Sequence, residues 1–203
     1  TSRTLKNLQT LQDEIVADGY PRPVIVPMDL AGAGKSAFRQ LAERINDASG
    51  RLNGIVHNAG VLGSRLPIEH YDATTWDEVM HLNLTVPFIM TQALMRLLRS
   101  ADDASVIFTS SGVGRKGRAG WGAYAVSKFG TEGLSQVLAD ELASTSIRVN
   151  CINPGRTRTA MRAAAYPQED PNTLLPPQAI VGAYLYLMGP DSRNINGQSL
   201  NAQ

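Results

Sequence analysis

Apolar positions along the chain follow two alternating periods. Leu5, Leu8, Leu11 and Ile15 fall at helical spacing and predict an amphipathic opening helix. Gly19 and Pro21 end it, and "PVIVPM" (23–28) reads as a short buried strand. Phe38, Leu41, Ala42 and Ile45 mark a second helix, and "GIVHNAG" (54–60) a strand that runs into a glycine turn. Thr75 and Glu78 have the spacing of a capping box, opening a helical region kinked near Pro87 and reaching about Leu98. "SVIFTSS" (105–111) is a strand, 122–143 a helix, and "IRVNCINPG" (147–155) another strand. Residues 156–176 show little periodicity and read as a long polar loop. Pro177 suits the first turn of a last helix that Gly189 and Pro190 close, and "GQSLNAQ" ends the chain as a short strand.

Several of these strands are apolar on both faces. Strands that alternate with helices and hide both faces predict an α/β fold, a parallel sheet covered by helices on each side. No repeat, low-complexity segment or linker divides residues 1–203, so one domain is expected.

Composition removes several function classes. With 43% hydrophobic and 18% charged residues and a formal charge of +1, nothing suggests nucleic acid or a membrane surface as partner. No apolar run approaches the roughly 20 residues of a membrane span. The single cysteine, Cys151, excludes an internal disulfide, fits a reducing, cytoplasmic setting, and is expected as a buried small hydrophobe. His57, His70 and His81 lack metal-ligand spacing, so no metal site is expected.

Two stretches carry candidate chemistry. "MDLAGAGKSAF" (28–38) imitates a phosphate-binding loop, but the glycine needed five residues before Gly34 is Asp29. "AGAGKS" is therefore expected as a turn into a helix, with Lys35 and Ser36 solvated. In "AYAVSK", Tyr124 and Lys128 stand four apart on one helix face, with Ser111 at the carboxyl end of the preceding strand. An ammonium about 4 Å from a phenol, at an effective dielectric near 20, would lower its pKa by up to roughly three units. Ser111 could then polarise a substrate oxygen, with Ser110 as the competing assignment. Alone, this tyrosine–lysine spacing is more often an ordinary helix face.

Its company changes that reading. "MDL", "HNAG", "HLNLTVPF", "IFTSSGVG", "YAVSK" and "NPGRTRT" occur in one order over nearly the whole chain, with thirteen residues from Ser111 to Tyr124. In this the chain resembles the short-chain dehydrogenase/reductase family, and its longer runs look closest to the YciK-like bacterial subgroup. The resemblance implies a Rossmann-type doubly wound sheet and an NAD(P)-dependent oxidoreductase interconverting a secondary alcohol and a carbonyl. It makes Tyr124 the acid/base, Ser111 the group that orients the substrate oxygen, and Lys128 the partner of the tyrosine and of the nicotinamide ribose. Asn83 would hold a water of a proton relay, or serve as a helix-kink residue bonded to backbone. Asp29 and Leu30 would contact adenine, and Asn58, Ala59 and Gly60 the adenosine ribose. Pro154, Gly155, Thr157 and Thr159 would wrap the carboxamide and pyrophosphate. NADP is the expected cofactor, with NAD possible. The expected partners are a small carbonyl or alcohol substrate and further copies of the chain, as a homodimer or homotetramer through helices near 75–98 and 122–143. Trp121 and Val113 should help line the substrate pocket, and Arg156, Arg158 and Arg162 are expected as solvated charges on its lid.

One family feature is absent. No T-G-x-x-x-G-x-G loop occurs, and the chain opens at Thr1 rather than methionine. Aligned by the other motifs, the family's first strand, phosphate loop, first helix and second strand fall upstream of Thr1, so the domain is expected to be truncated at its N-terminus. The alternatives are a non-catalytic dinucleotide-binding or scaffold protein with this fold and, more distantly, a nucleotide triphosphatase built on "AGAGKS".

Overall fold

The computed structural model describes residues 1–203. Four parallel strands lie side by side in chain order: β1 (Gly54–His57), β2 (Ala104–Thr109), β3 (Ile147–Asn153) and β4 (Ser199–Asn201). Val106 pairs with Val149 and Phe108 with Cys151, so the carboxyl ends of β1, β2 and β3 come out on one edge.

Alternation along β2 divides the core. Val106 and Phe108 point to one face and Ile107 to the other, as the two-residue period of a strand requires. The first face packs against Leu94, Leu97 and Leu98 of helix α4 (Val86–Arg99) and Ala139 of α5 (Gly122–Glu141). Helix α2 (Lys35–Ser49) lies against α4. The second face is covered by Leu187 of α7 (Val181–Met188), with Tyr184 and Met188 beside it. The α/β architecture read from the strand–helix alternation is the one observed.

Several local readings need correction. Residues 23–28 do not join the sheet: they form one bridge, Ser2 to Pro27, and Val24 is 79% exposed. Pro23 and Pro27 supply no N–H, and no strand runs alongside to complete a ladder. The opening helix α1 (Leu5–Ala17) forms as expected, yet Leu8 is its one buried residue. Helix α3 (Ala73–Met80) is capped by Asp72, whose Oδ2 accepts from the Thr75 backbone N–H at 2.7 Å and from Thr75 Oγ1 at 3.0 Å. A carboxylate one turn earlier takes the donor that a Thr75–Glu78 capping box would have used. The kink expected at Pro87 is a π turn over His81–Thr85, just before α4, with Pro87 in that helix's tolerant first turn. The loop at 156–176 contains a short helix, α6 (Ala160–Ala165), capped by Thr159 Oγ1 on the Arg162 N–H at 3.1 Å. It also holds a 3-10 turn, Pro171–Thr173.

Candidate active site

Two adjoining cavities run along the carboxyl edge of the sheet and share Asn58, Ala59 and Gly60 as a common wall. The first, about 410 Å³, is bounded by Asp29, Leu30, Val56, Met90 and residues 1–3. The second, about 420 Å³, is bounded by Ser111, Tyr124, Lys128 and the turn after β3, including Pro154, Gly155, Thr157 and Thr159. Every predicted site residue lines one cavity or the other except Asn83.

Asn83 sits behind the wall, 2% exposed, within the π turn. Its Oδ1 accepts from Val61 N at 2.8 Å, and its Nδ2 donates to Val61 O at 2.9 Å and Ser127 Oγ at 3.1 Å. The carboxamide is thus occupied in clamping the turn after β1, the backbone-bonded kink role. A Cβ on Gly60 would stand 3.1 Å from Asn83 Oδ1 and 3.8 Å from Lys128 Nζ, so glycine keeps wall, amide and ammonium close together.

The two serines part company at the end of β2. Ser110 is buried and donates to Glu132 Oε1 at 2.5 Å. Ser111 is half-buried, caps the 3-10 turn Gly112–Gly114 through a 3.4 Å contact with Val113 N, and lines the second cavity together with Tyr124. Ser111 is therefore the hydroxyl presented with the phenol.

Lys128 Nζ donates to Thr109 O at 2.7 Å and lies 5.7 Å from the Tyr124 ring centroid. Burial is the largest influence on both groups. The Tyr124 phenol is pushed above its usual 10, with the neighbouring Ser111 hydroxyl only partly opposing. Burial likewise pulls Lys128 down to about 8, against the raising influence of Cys151 and Glu132. The lowered tyrosine pKa expected from local spacing is reversed, because spacing along a helix carries no record of desolvation.

The cofactor-side residues divide into open and committed groups. Asp29 is exposed on the first cavity, its Oδ1 accepting from Ala31 N at 3.3 Å. Lys35 and Ser36 are exposed and lie outside both cavities, so "AGAGKS" is a turn into α2, as read. Asn58 Oδ1 accepts from Thr109 Oγ1 at 3.0 Å. Gly155 has φ +72°, a left-handed geometry that favours glycine. Thr157 Oγ1 donates to Pro154 O at 3.1 Å and Thr159 caps α6, so both hydroxyls shape the turn.

Trp121 lines the second cavity as expected, whereas Val113 packs behind it with Ala125. Leu62, Met161 and Ala165 complete the apolar wall, and residues 1–3 border the first cavity. None of these six was singled out in the sequence, where no local chemistry marks them. Of the lid arginines, Arg156 and Arg158 are exposed as expected, and Arg162 is mostly buried. Arg162 makes a two-pronged pair with Glu169, at 2.6 and 2.7 Å, and Arg156 reaches the same carboxylate at 2.7 Å. Those guanidiniums hold Glu169 down to about 2.

A parallel sheet with helices on both faces and a Ser–Tyr–Lys cluster at its carboxyl edge defines a short chain dehydrogenase. The family model for short chain dehydrogenases matches residues 1–170, and the chain belongs to that family of oxidoreductases. Among relatives, it is 47% identical to the uncharacterized oxidoreductase YciK of Escherichia coli K12, over 99% of this chain and 79% of that one. The solved structure of the E. coli oxidoreductase yciK superposes with a TM-score of 0.96 at 48% identity, covering 99% of this chain and 82% of that one. A short-chain-dehydrogenase-type protein of Shigella flexneri 2a, complexed with NADP, has a TM-score of 0.96 at 47% identity, with 99% and 84% covered.

Proposed function

We propose that the protein is an NADP-dependent oxidoreductase that interconverts a secondary alcohol and a carbonyl, with NAD as a possible substitute. The observation that carries this reading is the convergence of Ser111, Tyr124 and Lys128 on one cavity that adjoins a second of similar volume. The trough fits an extended dinucleotide. Glycines 60 and 155 leave its floor without side chains, and an added Cβ at either would stand 3.0–3.1 Å from a neighbouring side chain. Asp29 and Leu30 would hold the adenine end, Asn58, Ala59 and Gly60 the ribose, and the turn at Pro154, Gly155, Thr157 and Thr159 the carboxamide end. When bound, the nicotinamide would supply or accept the hydride.

The chain's own groups handle the proton. With its pKa above 10, Tyr124 is protonated at neutral pH and poised to donate its phenolic proton to a carbonyl oxygen. Ser111 would donate to the same oxygen as charge builds there. Lys128 stabilises the resulting tyrosinate, and with a pKa of about 8 it can return a proton near neutral pH. The wall of Leu62, Trp121, Met161 and Ala165 suits a substrate with an apolar body. Phe88 on α4, and Val126, Phe129 and Val137 on α5, are exposed apolar residues that suit pairing of copies through these two helices.

The test is fluorescence titration with NADPH and NADH, followed by a screen of carbonyl compounds. Turnover that falls at least about a hundredfold in Tyr124→Phe, with NADPH affinity within a few-fold, is the expected result. Dinucleotide binding with no turnover on any compound would favour the scaffold reading.

A further inference from the structure

Glu132 lies one helical turn beyond Lys128 on the buried face of α5, at the hub of a network that the proton chemistry does not use. Its Oε1 accepts from Ser110 Oγ at 2.5 Å and Ser199 Oγ at 2.7 Å, and Arg115 Nε stands 3.4 Å away. Arg115 follows the turn that Ser111 caps. It donates to Ser199 Oγ at 2.6 Å, Leu200 O at 3.0 Å and Asn201 Oδ1 at 2.8 Å, all on β4. Asn201 Oδ1 also accepts from Asn153 Nδ2 at 3.1 Å, and Asn153 Oδ1 accepts from Gly155 N at 3.1 Å. Gln203 Nε2 then donates to Pro154 O at 2.6 Å and Thr157 Oγ1 at 3.1 Å.

A buried carboxylate is costly unless donors surround it, and here three side chains from three separate segments do so. We propose that Glu132, acting with Arg115, is a positioning residue: it fixes the end of β2 so that Ser111 meets Tyr124, and it ties β4 and the Gly155 turn to the helix that carries Tyr124 and Lys128. The kinetic part of this inference rests on the oxidoreductase reading. A second consequence follows from charge. The ionisable groups around Lys128 are Tyr124 and Glu132 on α5 and Cys151 on β3, with Arg115 behind Glu132; the π turn contributes Asn83, which does not titrate. Glu132 is the acidic member of that set, so its removal makes the ammonium harder to keep.

The chain has four lysines, Lys6, Lys35, Lys116 and Lys128. Carbon-13 labelling of their ε positions therefore gives four signals, and Lys128→Met identifies the one of interest. Comparison of wild type with Glu132→Gln by NMR titration should show the Lys128 midpoint moving down by at least about half a unit. In carbonyl reduction, kcat should fall about tenfold while the KM for NADPH stays within about twofold, with partial recovery in Glu132→Asp. An unchanged Lys128 midpoint with an unchanged kcat in folded Glu132→Gln overturns the proposal. If that variant does not fold, Ser110→Ala removes only the tie to β2: a fall in kcat at constant KM supports the proposal, and unchanged kcat overturns it. A wild type that reduces no carbonyl compound counts against the oxidoreductase reading; the lysine midpoint, which needs no turnover, then decides the role of Glu132.

Discussion

Lys128 is held in the fold at an energetic cost that can be measured. Burial lowers its pKa from 10.5 to about 8, so between those values the unfolded chain binds a proton that the folded one does not. Stability therefore rises with pH across that window and is lowest, for this group, below pH 8. At pH 7 the penalty is close to its full value of about 3 kcal/mol; at pH 9.5 it has fallen to about 1 kcal/mol. Lys128→Met abolishes the penalty but also strips Thr109 O of its 2.7 Å donor, at about 1–3 kcal/mol. That second effect does not depend on pH. Urea unfolding of wild type and variant at pH 7 and 9.5 should thus show the variant gaining about 2 kcal/mol relative to wild type at the lower pH, while carbonyl reduction is lost. A stability difference constant within about 0.5 kcal/mol between the two pH values would show that Lys128 is not desolvated as described, and would remove its role as a group titrating near neutrality.

His57, stacked on Phe108 with ring centroids 4.9 Å apart and bonded to Thr91 Oγ1 at 2.8 Å, is pulled down from 6.5 to about 4 by burial. Its unfolded form takes up a proton first on acidification, so wild type should lose about 3 kcal/mol between pH 6.5 and 4 through this group, and His57→Phe should flatten that part of the curve in chemical denaturation. Gly114→Ala would place a Cβ 2.8 Å from Lys128 Cβ and 3.0 Å from the Lys128 backbone. It should cost about 1–3 kcal/mol by thermal unfolding and reduce kcat by separating the Ser111 turn from α5.

What could be read from the sequence was local. The helices at 5–17, 35–49 and 122–141 and the strands at 54, 104 and 147 announce themselves by period, and Tyr124 with Lys128 by spacing along one helix. The run at 23–28 was misread because a strand is completed by a partner elsewhere, which its own residues do not disclose. Burial of Tyr124 was missed for the same reason, since Val113, Ala165 and Leu62 come to it from distant parts of the chain. Glu132 escaped notice although it sits four residues after Lys128: its partners Ser110 and Ser199 are 22 and 67 residues away. Thr159 also caps α6, a role that no pattern around it discloses.

The π turn at His81–Thr85 has a consequence for how the chain tolerates change in length. One surplus residue in a regular α-helix would shift every later side chain by about 100° around the axis, and the wider π turn absorbs it locally. Upstream of it Val79 faces the interior; downstream, Asn83 meets Val61 while Val86 turns toward Phe38. Substitutions here alter one contact at a time. Deletion of a single residue within the π turn would close it to an α turn and leave α4 in phase with the sheet, so this short stretch is where the molecule can lose a residue without turning its helices.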